Sequence, residues 1–360
     1  MTNKQQKIAE FDPNQPGAAD ASIFGLPFNA DESEIIVIAV PCEVTVSYGD
    51  GASLGPNAIL DASYQMDLYN QAYPELWKLG IFVDEGLASD WMLKNSTLKE
   101  KAQSVIEVLE AGGSIDSHPG LRANLLEINK ACEHLNSDVK ERVLYWKKQG
   151  KKVALLGGDH STPLGYYQAL AESYESFGIL HLDAHMDLRI AYEGFTYSHA
   201  SIMYNALQLP AIEKLVQVGI RDFCEQEVSV VKSSAGKVKV FTDNYLKENA
   251  FDGWSWKEQC REIIEMLPEN VAISCDIDSL YQWYCPNTGT PVPGGLSFEQ
   301  VSYLIHELAK SKKIIIGFDL VEVSPGEDSW DGNVGARLLF NLCGAFAKSQ
   351  GLKVGEPLVF

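Results

Sequence analysis

The chain has 360 residues with 46% hydrophobic content, enough for a sizeable core in one large α/β domain or two ordinary ones. Its 49 acidic residues against 29 basic give a formal charge of -20, which disfavours nucleic acid and anionic membrane surfaces as partners. A small cationic ligand would be steered favourably, although an acidic surface also serves solubility alone.

Residues 1–33 read as an N-terminal extension. Met1 to Gly17 is polar, carries Lys4 and Lys7, and lacks the apolar run of a signal or transit peptide. No stretch approaches the ~20 uninterrupted apolar residues of a membrane helix. The seven cysteines are scattered and never spaced as CxxC, which fits reduced thiols better than disulfides or a zinc knot. The expectation is a cytoplasmic protein. From Glu34 onward, short apolar runs alternate with longer helical patterns. Strands are expected at 34–40, 79–83, 152–156, 178–182, 214–218, 238–241, 271–275 and 313–318. Helices are expected at 98–110, 121–149, 163–174, 256–267, 298–309 and 332–349. Strands apolar on both faces and separated by helices predict an α/β fold with a mostly parallel central sheet, as a single domain over 34–350. In such sheets the active site sits at the carboxyl ends of the strands. The stretch at about 85–149 is charged and helical, with a break from Gly112 to Gly120, and reads as an insert packed on the sheet edge or on a neighbouring subunit.

Three of these strands end in acidic or imidazole side chains. The first runs through Gly157 and Gly158, which let the backbone turn sharply, into Asp159 and His160. The second presents Asp183, His185 and Asp187 at a spacing of two, which in an extended segment puts all three on one face. The third presents Asp276 and Asp278 at the same spacing. If the three ends neighbour one another, His160, Asp183, His185, Asp187, Asp276 and Asp278 converge. Carboxylates so close resist ionisation unless cations sit between them, and a pair of metal ions resolves that conflict. Carboxylate-rich ligation with one histidine per ion suits manganese, with nickel or cobalt also suited, and the absence of cysteine argues against structural zinc. Two ions roughly 3.5 to 4 Å apart would share one water and make hydroxide available near neutral pH, without a catalytic serine or cysteine. Singly, each motif reads as a solvated strand end or, for Asp276 and Asp278, as a cap on a following turn. His181 shares parity with Asp183 but lies deeper, and reads as packing or support. Cys275 alternates with Asp276 and should face the core.

Gly157-Gly-Asp-His-Ser161, Asp183-Ala-His-Met-Asp187 and Ser274-Cys-Asp-Ile-Asp-Ser279 resemble, in order and spacing, the signatures of the ureohydrolases: arginase, agmatinase, guanidinobutyrase, formiminoglutamase and guanidine hydrolase. Ser47 to Ile59, Pro286 to Leu296 and Gly317 to Pro325 resemble family stretches as well, so the likeness covers roughly residues 34 to 348. The resemblance implies a three-layer α/β/α arginase-like fold, two divalent metal ions per chain, and a homo-trimer or hexamer. It implies that His160, Asp183, Asp187 and Asp276 hold one ion and that Asp183, His185, Asp276 and Asp278 hold the other. Glu322 would pair with the substrate guanidinium as a charge-assisted partner. Asp278 would stabilise the intermediate and deliver a proton to the leaving nitrogen, with His199 as the shuttle to solvent. The implied reaction is hydrolysis of a guanidino compound by a metal-bridging hydroxide, agmatine to putrescine and urea first among the candidates. Leu188 to His199 resembles the agmatinase pattern there rather than the Ser- and Asn-containing loop of arginases. Glu193 near the mouth would suit a cationic substrate, whereas Arg189 would equally serve an acidic one such as formiminoglutamate or guanidinobutyrate. Tyr281 to Pro286 either lines the pocket or packs in the core. A metal-dependent deacetylase shares the broad fold but keeps one zinc and lacks counterparts of His160 and Asp187. A non-catalytic scaffold is the remaining alternative.

Overall fold

The structure, a computed structural model, describes residues 2–15 and 22–358. Residues 1 and 16–21 of the expected N-terminal extension therefore lie outside the described residues. The eight strands are β1 (Ile35–Val40), β2 (Ile81–Asp84), β3 (Lys152–Gly157), β4 (Phe177–Leu182), β5 (Ile212–Ile220), β6 (Val238–Thr242), β7 (Asn270–Asp276) and β8 (Ile314–Val321). They form one sheet in the order β2-β1-β3-β8-β7-β4-β5-β6, with every neighbouring pair parallel. All eight coincide with the expected strands, to within three residues at either end.

The sheet is central because its strands are apolar on both faces. Every residue of β1 is buried, and alternate residues enter different cores. Ile35 and Val37 join Leu156, Leu182 and Ile273, whereas Ile36 and Ile38 join Val153, Leu155 and Ile179. The helices among the described residues are α1 (Asn3–Glu10), α2 (Gly55–Ser63), α3 (Ala88–Glu110), α4 (Pro119–Lys148), α5 (Leu164–Ser173), α6 (Ile202–Ala206), α7 (Glu225–Ser233), α8 (Asp243–Phe251), α9 (Trp256–Glu265), α10 (Phe298–Lys310) and α11 (Trp330–Ser349). α2, α9, α10 and α11 cover the first core and α3 to α6 the second, giving three layers, α/β/α. No helix among the described residues is long and apolar enough to cross a membrane. All seven cysteines are unpaired, and Cys275 is buried in the first core as expected.

The charged stretch after β2 folds as the α3–α4 hairpin, which is tied to the sheet edge through one carboxylate. Asp84, at the end of β2, takes two N–H groups of Arg142 at 2.5 and 2.6 Å and the Trp146 indole N–H at 2.6 Å. Burial opposes ionisation of Asp84, but Arg142 and Trp146 outweigh it and hold the carboxyl below its ordinary 3.8. A carboxyl depressed in the folded state stabilises above its unfolded pKa, and that stability is lost as the pH falls through the lower folded value. Asp84→Asn is therefore expected to cost about 2 kcal/mol in urea unfolding at pH 7, through loss of the charge-assisted pair. The difference from wild type should shrink as the pH drops below 3.8. A difference that stays constant down to acid pH would contradict this assignment.

The topology decides what meets at the carboxyl edge. β3, β8, β7 and β4 are consecutive in the sheet. The three motif strands do not all touch: β8 lies between β3 and β7, and it delivers Glu322 to the same edge.

Candidate active site

The six expected ligands come together, though not by extended geometry. β4 stops at Leu182 and β7 at Asp276, so strand parity does not run through either motif. Asp187 has φ +54°, a left-handed residue that turns its carboxylate back toward His160. Asp276 caps the turn of 3₁₀ helix at 277–279, its Oδ1 accepting the Asp278 N–H at 2.8 Å. In the same way Asp183 Oδ1 accepts the His185 N–H at 2.6 Å. These local hydrogen bonds aim each motif and turn the second carboxylate oxygen toward His160.

Asp183 is shared by two clusters. His160 Nδ1 lies 3.0, 3.1 and 3.2 Å from carboxylate oxygens of Asp183, Asp187 and Asp276. His185 Nδ1 lies 3.4 Å from Asp183 and 3.2 Å from Asp278. The tautomer of His160 follows from its other nitrogen. Ser274 donates its hydroxyl hydrogen to Asp319 Oδ1 at 2.9 Å, so it can only accept from His160 Nε2, also at 2.9 Å. The Nδ1 lone pair then points into three carboxylates, and Nδ1 is buried without a hydrogen-bond partner, as is Asp278 Oδ2. Lone pairs facing one another in a buried space need a cation between them, and this donor set of imidazole and carboxylate fits a divalent metal ion. The electrostatics agree. Burial, followed by the neighbouring Asp278 and Asp183, pushes the Asp276 carboxyl well above the usual range. Burial opposes protonation of His185, but Asp278 and Asp183 outweigh it and lift the ring to about 12. Both shifts express an excess of negative charge awaiting positive partners.

A buried polar row supports the ligands from below. Gln217 on β5, His181 on β4, Ser274 on β7 and Asp319 on β8 are register partners across four strands. Gln217 donates to His181 Nδ1 at 2.9 Å, which leaves the His181 Nε2–H for Asp183 Oδ2 at 2.7 Å. Tyr167, from α5, closes the far end on Asp319 Oδ2 at 2.7 Å. Both His181 nitrogens are engaged, so His181 orients Asp183 rather than presenting a lone pair of its own. His181→Phe is expected to weaken metal binding about 10- to 100-fold while retaining two ions at saturation. Titration of the metal-free protein against a chelator would show it, and a variant that saturates with one ion would mark His181 as a ligand instead.

Glu322 and His160 are coupled through the backbone. Glu322 has φ +64°, held by its N–H to Gly158 O at 2.9 Å and by Thr288 Oγ1 on its own carbonyl at 2.9 Å. Its Oε1 accepts the His160 N–H at 2.7 Å. Gly158 admits this crowding because a Cβ there would lie 1.9 Å from Cys42 O. Burial, then the Asp159 carboxylate beside it, raises Glu322 well above the usual range. Asp159 itself turns to Ser161 and Cys42 O and stays out of the ligand clusters.

Above the clusters opens a cavity of about 330 Å³ reached past Ser47, Tyr48, Arg189, Tyr192, Asp222 and Phe223, with His185, Asp187 and His199 also in its lining. A hollow of about 830 Å³ runs beside Lys7, Phe11 and Phe82, far from any of these ligands. His199 is half-buried, with Nδ1 unpartnered, and burial followed by the nearby His185 lowers its pKa to about 4. Arg221 clamps the loops below, donating to the carbonyls of Gly219, Asp278, Leu280 and Val292. One expectation fails: Glu193 does not line the cavity, its Oε2 being buried and its pKa raised by burial and by Glu110. Of the two readings of Tyr281 to Pro286, core packing holds for Cys285, buried in the first core, and for Tyr284, packed against it, while Tyr281 and Trp283 stack at 4.3 Å with Trp283 64% exposed. Asp222, Tyr48, Ser274 and Gln217 were not singled out from sequence, although Ser274 lies two residues before Asp276 and shares its parity.

Two imidazole–carboxylate clusters joined by one aspartate, at the carboxyl edge of a parallel sheet and beneath an open cavity, are the arrangement of a two-cation hydrolase site. Residues 33–344 match the model of the arginase family. N(1)-aminopropylagmatine ureohydrolase of Thermus thermophilus is 31% identical over 328 residues, covering 90% of this chain and 93% of that one. An agmatinase of Halalkalibacterium halodurans is 26% identical over 304 residues, covering 83% and 87%. The structure of proclavaminate amidinohydrolase from Streptomyces clavuligerus shares the fold, with a TM-score of 0.71 at 23% identity, covering 93% of this chain and 100% of that one. The chain belongs to the arginase family and is a ureohydrolase.

Proposed function

We propose that this ureohydrolase releases urea from a guanidino compound carrying a cationic amine tail, agmatine or its aminopropyl-extended form, with two manganese ions bound. The observation that carries the reading is the position of the paired clusters beneath a cavity whose outer wall combines Asp222 with the rings of Tyr48 and Phe223. Asp222 is 68% exposed and reaches within 4.0 Å of His185 Nε2, so a cationic tail leaving the reaction centre meets a carboxylate and two aromatic faces. Among the described residues of that lining Arg189 is the one lysine or arginine, and its guanidinium lies over the Tyr192 ring at 4.9 Å. That placement favours an amine tail over an acidic substrate. The names of the Thermus and Halalkalibacterium relatives point the same way.

Divalent ions held by His160, Asp183, His185, Asp187, Asp276 and Asp278 would supply hydroxide near neutral pH by lowering the pKa of water. The protein's own groups do the rest. Glu322 supplies a buried carboxylate for the planar guanidinium, fixing the carbon for attack. Asp278, with Oδ1 accepting the Ala184 N–H at 3.0 Å and Oδ2 turned toward His185 Nδ1 at 3.2 Å, would relay the proton of the attacking oxygen to the leaving nitrogen. His199, neutral at physiological pH with a free ring nitrogen beside the cavity, passes protons to solvent.

The deciding experiment is release of urea by protein stripped of metal and reloaded with manganese or nickel. The panel is agmatine, N1-aminopropylagmatine, arginine, guanidinobutyrate and guanidine, with formamide release from formiminoglutamate followed in parallel. Metal-dependent turnover of an amine-tailed guanidine far above the others is the expected result. A preference for guanidinobutyrate or formiminoglutamate would overturn the amine-tail reading.

A further inference from the structure

The α3–α4 hairpin contributes no side chain to the metal clusters, yet it holds both loops that wall the cavity. Residues 43–54 bring Ser47 and Tyr48 to one side, and residues 188–199 bring Arg189, Tyr192 and His199 to the other. On α3, Asn95 and Lys99 lie one turn apart on one face. Asn95 Oδ1 accepts the Glu43 N–H at 2.7 Å, and Lys99 Nζ donates to Glu43 Oε1 at 2.7 Å and Asp50 Oδ2 at 3.1 Å. Glu43 is only 4% exposed and passes the restraint on, its Oε2 accepting the N–H groups of Gly51 at 2.8 Å and Ser53 at 3.2 Å. From Glu43 to Gly51 the loop has neither helix nor strand, and Tyr48 is 85% exposed, so packing on the ring does not hold it. Gly49 instead lies on Gly289, so closely that a Cβ would come within 2.5 Å of the Gly289 oxygen.

The second helix repeats the device. On α4, Asn129 accepts the Thr196 N–H at 2.8 Å and donates to Gly194 O at 3.2 Å. Leu125, one turn earlier, packs against Gly194, where an added Cβ would lie 3.0 Å from its Cδ2.

We propose that Lys99 and Asn129 are positioning residues through which the helical hairpin sets the two cavity loops, and so governs substrate affinity rather than the chemical step. The kinetic part rests on the urea-releasing function proposed above; the structural part does not. The test compares full-length, metal-loaded Lys99→Met, Lys99→Arg and Asn129→Ala proteins by hydrogen exchange, Tm and urea release. Lys99→Met should speed exchange in 43–54 but not 188–199, and Asn129→Ala should do the reverse. Each should raise KM about tenfold with kcat within about twofold of wild type, and Lys99→Arg should restore both readouts. Exchange that rises throughout the chain with a lowered Tm would reduce both residues to general stability and overturn the proposal. So would unchanged exchange in both loops. If the wild-type protein releases no urea from any guanidine, the functional reading fails, while loop-specific exchange still upholds the hairpin's role and its absence still removes it.

Discussion

Asp183→Ala is expected to yield a folded protein that holds neither metal ion and releases urea at least about 10⁴-fold more slowly. Among the described residues Asp183 is the side chain common to both clusters, 3.0 Å from His160 Nδ1 through Oδ2 and 3.4 Å from His185 Nδ1 through Oδ1, whereas Asp276, expected in both, approaches His160 at 3.2 Å. Asp183 is fully buried and oriented by the His181 ring at 2.7 Å. Asp187→Ala is the informative comparison. Asp187 approaches His160 at 3.1 Å and is absent from the His185 cluster, so its loss should remove one ion and leave the other. Metal content measured after dialysis, alongside urea release, separates the two. Two ions per chain retained by Asp183→Ala would refute the shared-ligand arrangement.

The strands were legible because a parallel sheet covered on both faces demands uninterrupted apolar runs, and such runs stand out between helical periodicities. Some of the helices were less so. α1 went unrecognised although Thr2 and Gln5 form a capping box, a signal present in the residues themselves. In the site, the identity of the six converging side chains could be read from their spacing, but not the geometry that brings them together. Parity holds only while a strand is hydrogen-bonded, and both motifs begin where their strands end. The turn at Asp187 depends on contacts made elsewhere in the chain, its own carbonyl accepting the N–H groups of Met203 and Tyr204. The support row was hidden for a different reason. Gln217, His181, Ser274 and Asp319 are neighbours only because β5, β4, β7 and β8 are adjacent in that order, and strand order is a tertiary fact. The same holds for Lys99 and Glu43, separated by 56 residues in sequence and by 2.7 Å in space.

Glu322→Gln should keep both metal ions and lower kcat/KM for an amine-tailed guanidine about 10²- to 10³-fold. The substitution preserves shape, and an amide oxygen can still accept the His160 N–H now bonded at 2.7 Å, so the β3 turn and its histidine should stay in place. What is lost is charge. A carboxylate raised above its usual range by burial and by Asp159 is costly to ionise, and a bound guanidinium compensates that cost where a neutral amide gains nothing from it. The left-handed backbone at Glu322 gives the same indication, because φ +64° at a non-glycine residue persists only where its surroundings overdetermine it. Two outcomes can be told apart. If Glu322→Gln loses an ion together with activity, the residue acts by holding His160, and the guanidinium must be met elsewhere. If metal content is unchanged and the loss is much smaller for a neutral amidine than for a guanidinium substrate, the charge of Glu322 is what recognises the reacting group.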